Sequence, residues 1–400
     1  MKNLKLTKLN VFTMLLIPFV WIYELSVVAP ILGSVAAAFP DASTFELQLI
    51  VIMPFFASIP MSVVAGKLAK KYDKKSLIIA GLFIYGIAGM APFLAQTMSQ
   101  ILISRLITGI GVGLVLPLPN AMIAQYFAGT ERQRMLGLAT SVANIANVLD
   151  SIAVGFILLL GWNYPFLCFS VCLIIMAVAI VGLPKSPPAL QEAEVANHLL
   201  SKKIPKVVYV LVAFMAVNWI LFAFNIENMA LFMTTENIGL PWMIGIAICL
   251  PGGASILSGA VFPEVYGKTK EYIVSISVAV FAAGYIVMAF THSFETQSIA
   301  NLLIGLGSGM LTPYILNLTS QKVEKNHRDA AYGFVTSGIH IGFLLAPFVQ
   351  LTIRTITGIE SYRFLCELSA VVLIVFAIIA FFVAMKKANE TPGKSTEEVC

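Results

Sequence analysis

Three ionisable side chains stand where an apolar chain has least use for them: Glu24, Arg105 and Asp150. Each falls within a run of roughly 20 or more apolar residues, the length that crosses the hydrocarbon core of a bilayer. A carboxylate at mid-depth costs at least about 2.5–3.5 kcal/mol on insertion scales, so Glu24 and Asp150 are expected to face protein or water. Counted from the cytoplasmic end, Asp150 sits near the depth of Glu24, and two neighbouring carboxyl groups in such surroundings cannot both stay ionised cheaply. That is the chemistry of a proton site. The plainer reading of Glu24 is a hydrogen-bonded packing residue. Arg105 lies about a turn and a half into its own run, where it either snorkels outward or pairs with an interior carboxylate.

The elements that must position these groups are apolar helices. With 59% apolar residues, 11% charged and a mean hydropathy of +0.91, the chain departs from soluble domains, whose charged share is about a quarter. Twelve apolar runs are expected to span, at 11–37, 45–68, 76–96, 100–126, 136–160, 164–183, 206–233, 241–265, 271–291, 296–321, 330–354 and 362–385. None alternates with the period of two that a membrane β-strand requires. The first run is too long for a signal peptide and lacks a small-residue cleavage site, so it is read as a retained helix.

On these spans 22 of the 25 Lys and Arg fall on one side, leaving Arg105, Arg354 and Arg363. The segregation places both termini and the central loop in the cytoplasm. The basic loops are topology signals, and nucleic-acid binding is not expected. Cys168, Cys172, Cys249, Cys366 and Cys400 make an odd count with four inside helices, which is neither a disulfide framework nor a zinc site.

One stretch, 105–127, recurs 196 residues later. Gly109, Gly111, Gly113 and Pro117 fall on Gly305, Gly307, Gly309 and Pro313, and Gly137, Thr140, Ser141 and Ile145 on Gly333, Thr336, Ser337 and Ile341. The reading is an all-α membrane protein of 12 transmembrane helices in two pseudo-symmetric six-helix bundles, 1–183 and 206–387, joined by a Pro-rich cytoplasmic linker at 184–205 and followed by a cytoplasmic tail at 388–400. Pro54 and Pro60 should bend or loosen their helix, and Pro117 and Pro119 should break theirs. Asn144, Asn147 and Ser151 form a polar stripe with Asp150 one turn from Asn147. Asn218, Phe222, Asn225 and Glu227 give the seventh run mixed aromatic and polar faces, which suit a ligand cavity and equally suit helix-to-helix hydrogen bonding; Trp21, Asn317 and His340 are further cavity candidates.

The loop 66–75, GKLAKKYDKK, resembles that between the second and third helices of the major facilitator superfamily, roughly G-x-L-a-D-R-x-G-R-[RK]. Gly66, Leu68, Ala69, Lys71, Lys74 and Lys75 fit; Lys70 stands where the family has aspartate and Asp73 where it has a second glycine. Arg105, Gly109 and Gly111 match a second family signature, R-x-x-x-G-x-G. The glycine-proline pair that drug antiporters of the family carry on the fifth helix is absent, with Asp150 and Ser151 in its neighbourhood. The likeness covers the whole chain in length, helix count, central loop and duplication. It implies a secondary transporter working by alternating access, with proton coupling at Glu24 and Asp150 modulated by Arg105. Gly66, Asp73, Lys74, Gly109 and Gly111 would serve its conformational motifs.

No phosphate-binding loop of the G-x-x-x-x-G-K-[ST] kind and no metal-spaced histidine cluster is present, so neither an enzyme nor an ATP-driven pump is expected. The leading expectation is a monomeric, proton-driven antiporter of a bacterial cytoplasmic (inner) membrane. It would export small amphipathic compounds, with no cofactor beyond the proton gradient. A permease taking up or exchanging a small metabolite, an organic anion on Arg105 and His340 for instance, stays open, as does a membrane sensor that moves nothing.

Overall fold

A computed structural model describes residues 6–20, 23–69, 71–127, 129–185, 206–323 and 328–390. The expected linker and tail lie almost wholly outside these residues. Ten stretches among them are long and apolar enough to cross a membrane. One, Trp242–Phe290, is 49 residues long and holds two helices, α11 (Pro241–Thr269) and α12 (Ile273–Phe290), parted by the turn Lys270–Tyr272.

The first expected span is not one helix. It is divided into α1 (Lys8–Leu16), a 3-10 turn at Ile17–Val20, α2 (Tyr23–Ser26), a second 3-10 turn at Ala29–Ile31, and α3 (Leu32–Ala38). Pro18 and Pro30 each lie in one of the 3-10 turns, where a missing N–H and a fixed φ interrupt the α-helical ladder.

The next helices are α4 (Thr44–Leu68), α5 (Lys74–Met90), α6 (Met98–Val115), α7 (Pro117–Tyr126), α8 (Gly129–Ile157) and α9 (Ser170–Gly182). After the linker come α10 (Lys206–Thr235), α11, α12, α13 (Phe294–Lys322), α14 (Arg328–Thr357) and α15 (Tyr362–Glu390). Polar caps start several of them. Ser43 with Glu46 and Thr97 with Gln100 form reciprocal capping boxes, satisfying donors that the first turn leaves free. Gly358, at φ +70°, ends α14 in the left-handed region, its N–H bonding the Arg354 carbonyl at 2.8 Å.

Proline acts unequally in the two halves of the repeat. Pro117 opens a new helix, whereas its counterpart Pro313 sits inside the unbroken α13. A second proline, Pro119, follows only in the first copy, so two N–H donors are lost within one turn there. Pro54 and Pro60 do not interrupt α4.

By its internal contacts the chain forms two compact units: Met1–Lys203 with Glu227–Ile246, and Ile204–Ile226 with Ala247–Cys400. The recurrent glycines pack the same way in each. In the first, a Cβ on Gly109 would meet the Pro54 carbonyl of α4, one on Gly113 would come within 2.7 Å of the Ser58 carbonyl, and one on Gly111 within 2.5 Å of the Tyr85 nitrogen on α5. In the second, Gly305 faces the Pro251 carbonyl, Gly309 lies against Ser255 of α11, and Gly307 meets the Phe281 nitrogen of α12. Positions i and i+4 share one helix face and i+2 points nearly opposite, so one GxGxG run lets two neighbours approach a single helix at backbone contact.

Candidate functional site

Asp150 lies in α8, half-buried, with one carboxylate oxygen (Oδ2) buried and without a hydrogen-bond partner. The carboxylate accepts a hydrogen bond from the Tyr23 hydroxyl. Tyr23 is 1% exposed, and its position follows from the break in the first span, because the short α2 sits between the two 3-10 turns and packs on α8. Its ring stands edge-on to Phe169, with centroids 5.5 Å apart.

Phe169 has a second neighbour of consequence. The Arg105 guanidinium lies 4.8 Å over the Phe169 ring and 5.4 Å over Phe166, within cation–π range. Arg105 is fully buried, so it does not snorkel to the membrane surface. Its Nη2 donates to the carbonyl of Gly89 at 3.0 Å and reaches that of Ala88 at 3.5 Å. These carbonyls belong to the last turn of α5, where the helix dipole and unmet acceptors favour a cation. Tyr85 completes the cluster: its ring is 5.6 Å from Phe169, and its hydroxyl donates to the Val20 carbonyl at 3.1 Å. Arg105, Phe169, Tyr23 and Asp150 thus form a continuous chain of contacts within one unit.

Sequence reasoning singles out neither Tyr23 nor Phe169. An aromatic residue in an apolar run carries no periodic signal of function; the one hint is that Tyr23 adjoins Glu24. The side chains of Glu24 and Asn144, and Trp21 as a whole, lie outside the described residues. Asn147 is half-buried on α8.

The arginine has a counterpart in the second unit. Arg363 of α15 donates from Nη1 to the Ala289 carbonyl at 2.8 Å, at the end of α12, and its Nη2 lies 3.3 Å from His292 Nδ1. Arg354 faces Glu360 at 3.6 Å. Arg105, Arg354 and Arg363 are therefore each met by a protein acceptor. Asn301, which occupies the repeat position of Arg105, holds a different helix: its Oδ1 accepts from Asn225 Nδ2 at 2.8 Å, and the Tyr362 hydroxyl donates to Asn225 Oδ1 at 3.2 Å. Asn225 is a buried node joining α10, α13 and α15.

The remaining cavity candidates separate. Phe222 is buried edge-on to Trp219 at 5.1 Å, and Trp219 packs on Phe343 at 5.3 Å. Glu227 is fully buried in the part of α10 that belongs to the first unit, beside Asn228, whose Oδ1 accepts from Gln48 Nε2 at 3.0 Å. Asn317 is half-buried on α13, and His340 is exposed on α14. Asn218 is buried and lines an apolar cavity among α10, α12, α13 and α15.

In the loop after α4, Lys70 lies outside the described residues. Asp73 is the N-cap of α5, accepting from the Lys75 N–H at 3.1 Å. Lys74 is buried and donates to Gln125 of α7 at 3.1 Å, while Lys75 Nζ donates to the Leu183 carbonyl at the end of α9 at 2.8 Å. The loop's charges tie the start of α5 to two other helices. A Cβ on Gly66 would meet nothing within 4 Å.

The profile of the Major Facilitator Superfamily matches residues 13–274 and 242–399. An MFS-type transporter of Methanocaldococcus jannaschii is 22% identical over 385 residues, 93% of this chain and 97% of the relative. The quinolone resistance protein NorA of Staphylococcus aureus is 23% identical over 349 residues, 84% of each. The crystal structure of a D-xylose-proton symporter superposes with a TM-score of 0.71 at 15% identity, covering 92% of this chain and 96% of that one.

Proposed function

The chain belongs to the Major Facilitator Superfamily, a multi-pass membrane transporter family, and from that premise we propose that it is a proton-coupled antiporter exporting small amphipathic compounds across a bacterial cytoplasmic membrane. We read its fold as twelve spans, counting α1 to α3 as one, α6 with α7 as one and α11 and α12 separately, with both termini cytoplasmic. The one-sided distribution of Lys and Arg supports that orientation.

The observation that carries the coupling is the Asp150 carboxylate: embedded in a spanning helix, half-buried, bonded to Tyr23 through one contact and holding a second oxygen without a partner. An intramembrane carboxylate so placed marks a functional site, and carrying a proton is one of the roles such groups serve. Protonation removes its charge from a low-dielectric site and permits the rocking by which such transporters alternate. Arg105, spoken for by α5 carbonyls and two phenyl rings, acts on Asp150 through the Phe169–Tyr23 contacts and holds the cluster in shape. That engagement disfavours the rival in which Arg105 grips an anionic substrate.

The similarity to NorA supports export, and the fold shared with a sugar-proton symporter keeps import as the second reading. Inside-out vesicles under an interior-acid gradient separate them, using a panel of fluorescent organic cations and neutral dyes. Antiport accumulates a dye against its gradient as protons leave. Symport drains preloaded vesicles instead, and a sensor moves nothing in either direction.

A further inference from the structure

Tyr85 is a buried phenol to which the proton coupling described above gives no task. It sits on α5, 1% exposed, and its hydroxyl donates to the carbonyl of Val20 at 3.1 Å. Val20 ends the 3-10 turn that interrupts the first span, and three positions later Tyr23 opens α2 and bonds the Asp150 carboxylate. α2 is four residues long. A single helical turn fixes several dihedrals for one hydrogen bond and does not hold itself, so the place of Tyr23 has to be set from outside the span. The turn and α2 each pack on α8, the helix of Asp150. Both tyrosine rings stand edge-on to Phe169, Tyr23 at 5.5 Å and Tyr85 at 5.6 Å. Phe169 thus places the ring of Tyr23, and Tyr85 places the backbone that leads to it.

The titratable and charged groups around this pair are few among the described residues. The thiols of Cys168 and Cys172 act on Tyr23, and Cys168 also on Asp150. Arg105 reaches Tyr23 only across the Phe169 ring. Glu24 adjoins Tyr23 in sequence, with its side chain outside the described residues. The second unit supplies a comparison. Phe281 stands 196 residues after Tyr85, at its repeat position, and offers no hydroxyl. One turn on, the buried Tyr285 donates to the Leu221 carbonyl of α10, a bond of the same kind that leads to the Asn225 node and to no carboxylate. We propose that Tyr85 is a positioning residue of the proton site: by gripping the Val20 carbonyl it sets the Tyr23 hydroxyl on Asp150. The inference deepens the reading of Asp150 as the coupling carboxylate and rests on it.

The test follows the carboxyl itself, in the full chain reconstituted in lipid. Infrared difference spectra recorded against pH show the C=O stretch of a protonated carboxyl, and the band lost in Asp150→Asn belongs to Asp150. Tyr23→Phe removes the donor and should move the midpoint of that band by roughly one pH unit or more. Tyr85→Phe keeps its ring against Phe169 and deletes only the hydroxyl. It should move the midpoint in the same direction as Tyr23→Phe, by roughly half a unit or more, and should add nothing in a Tyr23→Phe background. Tyr285→Phe, which deletes the matching hydroxyl of the second unit, should leave the midpoint in place. An unmoved midpoint in Tyr85→Phe, an equal shift in Tyr285→Phe, or a further shift in the double variant overturns the proposal and leaves Asp150 as the proton site. A titration with no band that Asp150→Asn removes overturns the coupling reading, and the proposal with it.

Discussion

The hydroxyl of Tyr23 donates a hydrogen bond to the carboxylate of Asp150, joining the broken first span to α8 at a buried point. A bond from a neutral donor to a charged acceptor contributes about 1.5–3 kcal/mol. Tyr23→Phe should therefore move the pH dependence of transport and slow it by roughly tenfold or more. Adding Tyr23→Phe to Asp150→Asn should change nothing further, since the two side chains act as one unit. Additive losses in that double-mutant cycle, read from initial transport rates, would mean that Tyr23 acts elsewhere.

Arg105 is a structural keystone of the same unit. Arg105→Ala leaves the Gly89 carbonyl without its donor and a cavity between Phe166 and Phe169, and should lower the melting midpoint in detergent by roughly 5–10 °C. Arg105→Lys should recover little of it, because an ammonium does not stack on two rings as a planar guanidinium does. Full recovery by lysine, in a dye-monitored melt, argues for simple charge.

The glycine repeat makes a prediction with an internal control. Gly111→Ala and Gly307→Ala place a Cβ into the backbone of Tyr85 and Phe281, so both should reduce the fraction of monodisperse protein after extraction. Gly66→Ala and Gly137→Ala, whose new methyls meet nothing within 4 Å, should behave as the unaltered chain. Size-exclusion chromatography of fluorescent fusions reads all four. Equal damage at Gly66 would assign that residue a role in another conformation.

Much of the architecture is legible in the residue pattern, and particular residues say why. The expected helices at 45–68 and 296–321 lie within two residues of α4 and α13, because a long, predominantly apolar run started by a Ser43 or Ser293 cap leaves little choice of ends. The glycine trios at 109–113 and 305–309 imply close packing, and each trio contacts the equivalent pair of neighbours. The first span misleads, since 11–37 is apolar almost throughout and only Pro18 and Pro30 hint at its division. The arginine cage is invisible for a different reason. Phe169 lies 64 positions from Arg105, and contacts between such distant positions leave no trace in spacing. Asn218 stands out as a cavity residue, but the groove it lines has no signature in the pattern, as its walls come from four helices.

The loop at 66–75 yields a further expectation. Asp73→Ala removes the N-cap of α5 and should cost about 1 kcal/mol, whereas Asp73→Asn keeps an acceptor and should cost little. Lys74→Met should cost more than either, because it removes a partly buried hydrogen bond between α5 and α7. Ranking the three by melting midpoint checks the order; an Asn variant as damaged as the Ala variant would point to a role for the charge itself.

Proton coupling at Asp150 is the claim on which the functional account turns, and one measurement addresses it directly. Purified protein and Asp150→Asn, reconstituted in proteoliposomes with a pH-sensitive dye inside, are compared for substrate exchange and for substrate-driven proton movement. The account predicts that Asp150→Asn still exchanges substrate down its gradient but moves no protons and gains nothing from an imposed pH gradient. Proton movement by Asp150→Asn equal to that of the unaltered protein would contradict it.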